Sequence, residues 1–390
     1  ACAHLLVATE AATGPLGCNG TLRGFQTYAD LLPFYRRYGR RDDPPAPIAS
    51  QDRDVRLTID LPLQQAAFDA LKKYAGQVRD RRTGRPKNKG AAVALNAGTG
   101  EVLAAVSLPS FDPGALTEEA WQRLHSDEDA DHTLLYRATD GLYAPGSSFK
   151  IVTATAGLEH GLGGTVVVCH HTDENVHWRF GGRRYARRRI TDEEGFVPHG
   201  ETDMAKALRV SCNVYFAHLG IDMGAPALDQ TARQRFGLAH LPPLQKLGED
   251  LPDCAYGQGA VLVTPLEMAR VAQAVANNGQ MLPTAFAASH TPALGEQAMT
   301  EAQARQLQRM LAGVVTDGTA RGVFDGLRVS VAGKTGSAQN GQGDGMTHSW
   351  FAGFAPAVNP TLAFACVVEN GGAGRAAAAP VCREIIRKAL

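Results

Sequence analysis

Ser147 and Lys150 stand three residues apart in Ala144-Pro145-Gly146-Ser147-Ser148-Phe149-Lys150. The Pro-Gly turn predicts that the serine opens an apolar helix running through Ile151, Val152 and Ala156 to the Gly157–Gly161 region. Three residues is nearly one helical turn, so both side chains leave the same face. A serine hydroxyl is a weak nucleophile until a neighbour takes its proton. A lysine held partly out of water can lose its own proton near neutral pH and be that neighbour. The free N–H groups of a helix start also favour an oxyanion. A four-residue pattern recurs by chance, so the pair gains meaning only from other residues.

Two further groups supply them. Ser211 and Asn213, in Val210-Ser211-Cys212-Asn213-Val214, are two apart, so in a turn both face one cleft. A second hydroxyl near an amine can relay a proton, and an asparagine amide both donates to and accepts from a peptide. Lys334-Thr335-Gly336-Ser337 follows a predicted strand, Val329–Ala332. A cation beside hydroxyls suits a carboxylate, and Gly336 would admit a substrate backbone to the strand edge. The Ser337 and Ser147 N–H groups would then make an oxyanion hole. Gly333-Lys334-Thr335 is not a phosphate loop: Arg328 stands where that motif needs its first glycine, and Gly341, Gly343 and Gly345 follow where a helix should.

The elements that must position these groups are legible in outline. Val55–Asp60 alternates like a strand, and Leu63–Tyr74 has helical spacing behind Pro62. Ala91–Asn96 and Glu101–Val106 read as a hairpin about Ala97-Gly98-Thr99-Gly100. Residues from about 112 to 260 are mostly helical in pattern. Thr264-Pro265 opens a helix capped at Asn277-Asn278-Gly279, another spans about Thr300 to Val315, and one from about Pro380 closes the chain. Ser349–Phe354 and Leu362–Val368 read as further strands. The fold class expected is mixed α/β: one mixed sheet with a mostly helical subdomain inserted between its halves. The sheet subdomain takes about 55–111 and 261–390, the helical one about 112–260, and 1–54 form a separate N-terminal remnant or linker.

The chain has 390 residues and no formal net charge, which gives no global electrostatic case for nucleic acid. No apolar run is long enough to span a membrane. The opening Ala1-Cys2-Ala3-His4 carries neither a methionine nor a leader pattern and reads as a fragment or processed product, with an anchor expected upstream. Phe34–Arg41 is aromatic and basic and reads as a solvated face ahead of the Asp43–Pro47 linker. His170, His171 and His177 precede an arginine run from Arg179 to Arg189. Their spacing fits no standard zinc site, so the segment is read as a surface loop. Of seven cysteines, Cys2 with Cys18 and Cys366 with Cys382 are expected to pair, as in an extracytoplasmic protein.

Ser-x-x-Lys, Ser-x-Asn and Lys-Thr-Gly, in this order, resemble the transpeptidase domain of class B penicillin-binding proteins, of the penicilloyl-serine transferase and β-lactamase/transpeptidase-like fold family. Leu57–Asp60 before Gln64-Gln65, Thr99–Ala104, and Tyr256-Gly257-Gln258-Gly259 leading to Thr264–Ala269 look like the same family, so the resemblance covers about 55–390. It implies a central antiparallel sheet flanked by helices, and a peptidoglycan D,D-transpeptidase in which Ser147 attacks, Lys150 is the general base, Ser211 relays the proton and Asn213 orients the peptide. Lys334, Thr335, Gly336 and Ser337 would hold the substrate. It implies no cofactor or metal, peptidoglycan stem peptides as substrate, β-lactams as covalent inhibitors and a membrane glycosyltransferase as candidate partner. The location implied is extracytoplasmic. The alternatives are a D,D-carboxypeptidase, a β-lactamase, or a β-lactam sensor or non-catalytic scaffold. Against the β-lactamase, Cys212 replaces the usual aspartate of Ser-Asp-Asn, and no Glu-x-x-x-Asn lies between it and Lys334.

Overall fold

The computed structural model describes residues 57–390, apart from 81–82, 113–116, 127–128, 171–189, 191, 193–196, 247, 289–294 and 341–345. It also describes the backbone of Leu6–Val7 paired with Thr21–Leu22. Cys2, Cys18, the basic patch, the proline linker, His171, His177 and the arginine run lie outside the described residues.

Five strands form the main sheet: β1 (Gly90–Asn96), β2 (Val102–Leu108), β3 (Ala332–Gln339), β4 (Thr347–Ala355) and β5 (Leu362–Val368). Their order is β2-β1-β5-β4-β3, with every neighbouring pair antiparallel. The helices are α1 (Leu61–Ala75), α2 (Glu118–Leu124), α3 (Lys150–Glu159), α4 (Met204–Val210), α5 (Asn213–Gln230), α6 (Leu251–Ala255), α7 (Pro265–Ala276), α8 (Glu301–Asp317) and α9 (Ala378–Ala389). Helices α1 and α9 pack against each other and the sheet, as does α7. Sequences buried on both faces lose their alternation: β5 reads Leu-Ala-Phe-Ala-Cys-Val-Val and is buried throughout. Antiparallel pairing puts β1 and β2 in one hairpin, while β3, β4 and β5 return from the far end of the chain.

Local signals place the helices. The Asp60 carboxylate accepts from Leu63 N–H at 2.9 Å and Pro62 sits in the first turn of α1. Leu63, Ala67, Ala70, Leu71 and Ala75 recur at helical spacing and are buried. Thr264 and Glu267 form a reciprocal capping box at α7, and Thr300 and Gln303 do so at α8.

The outer strand β2 has a backbone edge to satisfy, and Gln64 of α1 does it. Its Nε2 donates to Ala105 O at 2.8 Å, and Ala105 N–H donates to its Oε1 at 2.7 Å, all in the interior. Gln64→Leu removes both bonds and strands a buried N–H, a cost of about 2–3 kcal/mol. A denaturant titration should show that loss in midpoint with an unchanged slope. An unaltered midpoint would mean that water replaces the amide.

Three expectations need correction. Val55–Asp60 is not a described strand: within its described part Leu57 makes a lone bridge with Ala287, Thr58 N–H donates to Phe286 O and Asp60 caps α1. The strand expected over Val329–Ala332 instead starts at Ala332 and carries Lys334-Thr335-Gly336-Ser337 inside it. Glycine and polar residues are weak strand formers, but a continuous ladder to β4, from Ala332–Phe354 to Gln339–Thr347, overrides propensity. Cys366 and Cys382 are free thiols. They neighbour one another between β5 and α9, completely buried, and there they act as small hydrophobes rather than a bridge.

Candidate active site

The helix expected from Ser147 is split. Gly146–Phe149 is a 3-10 turn, and the α-helix α3 begins at Lys150. The tighter turn still brings both groups together: Lys150 Nζ donates to Ser147 Oγ at 2.9 Å. Ser147 is half-buried and Lys150 completely buried.

The turn is held from three sides. Gly146 has φ +54°, and its N–H donates to Gly257 O at 2.8 Å. Gly257, with φ +86°, lies so close that an added Cβ would stand 2.0 Å from Gly146 O. From the sheet, Trp350 Nε1–H donates to Ala144 O at 3.0 Å. Tyr143, one residue earlier, donates its hydroxyl to Glu369 at 2.8 Å, and Arg137 Nε pairs with the same carboxylate oxygen at 2.9 Å. Burial, with the Glu369 charge second, pushes the Tyr143 phenol well above its usual range, so it remains a donor. Gly257→Ala should therefore displace the turn that carries Ser147, costing more than about 3 kcal/mol and most of the acylation rate. A melting curve and a penicillin-labelling time course would show both losses. Wild-type labelling in the variant would mean that the turn has slack.

Ser211 and Asn213 arrive from a second direction. Ser211 terminates α4 in the left-handed conformation (φ 61°, ψ 38°), Cys212 caps α5 and Asn213 begins it. The reversal aims both side chains at Lys150. Its Nζ lies 3.3 Å from Ser211 Oγ, 2.7 Å from Ser211 O and 2.6 Å from Asn213 Oδ1. The Phe216 ring, 5.5 Å from Nζ, walls the amine nitrogen on another side.

The third group stands on β3, the sheet edge facing the turn. Lys334, also completely buried, donates to Ser211 Oγ at 2.8 Å and to Thr335 O at 3.0 Å. Thr335 Oγ1 lies 2.5 Å from Thr319 Oγ1, and Thr319 N–H donates to Arg209 O, which ties β3 to the end of α4. Gly336 is needed for a different contact from the one expected: a Cβ there would stand 2.8 Å from Pro145 O and 2.9 Å from Trp350 Cβ. The close approach it permits is to the protein's own turn. Ser337 O accepts from Gln258 Nε2 at 3.4 Å, so this carbonyl leaves the outer edge of β3. The N–H of a strand residue leaves on the same side as its C=O, so the Ser337 N–H also points off that edge.

The structure thus brings Ser147, Lys150, Ser211, Asn213, Lys334, Thr335, Gly336 and Ser337 together where the Gly146–Phe149 turn, the α4–α5 reversal and β3 meet. Sequence reasoning passed over Trp350, Thr319 and Glu369, which carry no local signal. It had marked Gly257 and Gln258 within Tyr256–Gly259. A chain of contacts, Ser147 Oγ to Lys150 Nζ to Ser211 Oγ to Lys334 Nζ, joins a hydroxyl to a buried amine, a second hydroxyl and a cation. Such a chain suits a serine acyltransferase that moves protons through lysine rather than histidine.

The comparisons agree. The sequence matches the family described as the penicillin binding protein transpeptidase domain over residues 90–387, and the chain belongs to that family. It is 33% identical over 377 residues to the peptidoglycan D,D-transpeptidase PbpA of Mycobacterium tuberculosis, covering 86% of this chain and 72% of that one. The structure of penicillin-binding protein A from M. tuberculosis as a ceftriaxone acyl-enzyme complex superposes with a TM-score of 0.72 at 29% identity, covering 93% of this chain and 84% of that one. A peptidoglycan synthase complex superposes with 0.71 at 31% identity, covering 86% and 62%. With this kinship and the Ser-Lys centre, the protein is a serine-type transpeptidase of class B kind. Among the described residues no helix is long and apolar enough to cross a membrane.

Proposed function

We propose that residues 55–390 form a D,D-transpeptidase domain that cross-links peptidoglycan stem peptides through an acyl-enzyme on Ser147. The observation that carries this reading is the unbroken set of contacts around Lys150 Nζ, which reaches Ser147 Oγ at 2.9 Å and Ser211 Oγ at 3.3 Å. As the neutral amine, Lys150 takes the Ser147 proton while the hydroxyl oxygen attacks the carbonyl of the penultimate D-alanine. The Ser147 and Ser337 N–H groups receive the developing oxyanion. The amide C–N bond then breaks. Ser211, between the two lysines, passes a proton to the leaving D-alanine amine and regains one from Lys150.

Lys334 has two tasks: its charge attracts the terminal carboxylate, and its bond to Ser211 Oγ favours that hydroxyl as a proton carrier. Thr335 and Ser337 add hydroxyls on the same edge. Asn213 Oδ1 accepts from Lys150 Nζ, which fixes the orientation of its NH₂ for the peptide. A stem-peptide amine then attacks the acyl-enzyme and gives the cross-link. β-Lactams, which present a strained amide and a carboxylate in the same relation, would trap Ser147. The domain would work outside the cytoplasm, and the likeness to a peptidoglycan synthase complex supports a glycosyltransferase partner.

The test is intact mass during hours with penicillin G, followed by a stem pentapeptide with and without an amine acceptor. A lasting one-drug adduct and an amine-dependent cross-linked product are expected. Product from water alone would make the enzyme a carboxypeptidase. An adduct that turns over within seconds would make it a β-lactamase, and none at all would favour the scaffold reading.

A further inference from the structure

Beside the catalytic cleft, four side chains that the mechanism does not use converge. They are Cys169, Asp192, His199 and Cys212, and one atom from each lies within 4.8 Å of all the others. We infer that these residues form a structural zinc site that clamps the Ser211-Cys212-Asn213 motif.

The separations between the ligand atoms support zinc. Cys169 Sγ is 3.6 Å from His199 Nδ1 and 3.8 Å from Asp192 Oδ2, and His199 Nδ1 is 3.4 Å from Asp192 Oδ2. A tetrahedral ion with metal–sulfur bonds near ~2.3 Å and metal–nitrogen or metal–oxygen bonds near ~2.05 Å holds its ligands about 3.4–3.8 Å apart. The three separations fit one tetrahedral ion, with Cys212 Sγ, within 4.8 Å of each of the other atoms, as its fourth ligand. Two thiols, an imidazole and a carboxylate also make a donor set that selects zinc over magnesium or calcium. Both cysteines are buried, and Asp192 and His199 have side-chain exposures of 7% and 20%.

The surroundings fit a closed structural site. Cys169 ends the short strand Val167–Cys169, which pairs with Gly200–Thr202, and its partner Gly200 follows His199 directly. Lys206 Nζ donates to His199 O at 2.6 Å and to Glu201 O at 2.8 Å, fixing that backbone. Asp192 turns its other oxygen, Oδ1, to the backbone N–H of Asn213. A ligand carboxylate oriented by a second hydrogen bond is the usual outer arrangement of metal sites. The ion would grip the catalytic motif twice, through Cys212 inside it and through Asp192 on Asn213. The exposed His170, singled out in the sequence, is not one of the four.

Metal analysis of the chain, purified without added metal and dialysed against metal-free buffer, should find about one zinc per molecule. Cobalt(II) exchanged into it should give thiolate-to-metal charge-transfer absorption and tetrahedral visible bands. Cys169→Ser combined with His199→Ala should lose the zinc. Stripping the wild type with a chelator should slow acylation by penicillin at least about tenfold, with recovery on adding zinc. Wild-type protein that holds no zinc and takes up no cobalt overturns the inference. A Cys169–Cys212 disulfide, seen as a mass two hydrogens short with both thiols unlabelled, overturns it as well. Zinc that can be removed without changing acylation overturns the clamp. Because each result is read on metal content or on the ratio of stripped to reloaded protein, it is independent of the substrate assigned to Ser147.

Discussion

Ser147→Ala is expected to leave a folded protein that forms no covalent adduct with penicillin and whose turnover of a stem peptide drops by about 10⁴-fold or more. The size follows from the kind of catalysis. Without the hydroxyl there is no bond to form, and only binding and oxyanion contacts remain to accelerate attack by water. The fold should survive, because the turn is anchored by other groups. Ser148 Oγ donates to Pro145 O at 2.7 Å, Gly146 N–H to Gly257 O, and Trp350 Nε1–H to Ala144 O. Ser148→Ala is the matching control: it removes a buried bond worth about 1 kcal/mol yet should still form the adduct. Intact mass on both variants decides the matter. An adduct on Ser147→Ala would mean that another residue is the nucleophile.

Replacing Lys150 is expected to be nearly as severe and to separate charge from proton transfer. Lys150→Met keeps the length of an apolar stem in a completely buried position, and Lys150→Arg keeps the charge. Acylation should fall by about 10²–10⁴-fold in Lys150→Met, the usual worth of a general base. It should fall as far in Lys150→Arg, since a guanidinium cannot give up its proton. An electrostatic role alone would predict that arginine restores most of the rate, and stopped-flow measurement of penicillin acylation distinguishes the two. The methionine variant also strands Ser211 O and Asn213 Oδ1, which accept from Nζ at 2.7 and 2.6 Å. A loss of about 2–4 kcal/mol in stability should accompany the loss in rate.

The sequence by itself determined whatever depends on neighbours a few residues apart. The three-residue interval of Ser147 and Lys150 was enough to join them, although a 3-10 turn precedes the helix, because i and i+3 meet in either geometry. Pro62 and Thr264-Pro265 marked real helix starts, and the hairpin about Ala97–Gly100 showed in its two apolar runs and the turn between them. The order of the three motifs supplied the family, which the comparisons bear out.

Tertiary structure decided the rest. Lys334–Ser337 lies within a strand because β4 supplies a ladder that its own residues would not predict. Lys334 reaches Ser211 across 123 positions of chain, a distance no periodicity encodes. Cys366 and Cys382, expected to pair as a disulfide, are instead free thiols enclosed by β5 and α9. Cys169, Asp192, His199 and Cys212 share no motif spacing. A short strand, its returning partner, a loop residue and a helix cap bring them together, and only the folding of α4 against α5 sets Cys212 where the others converge. Local sequence specifies which groups can react, and long-range packing specifies which of them meet.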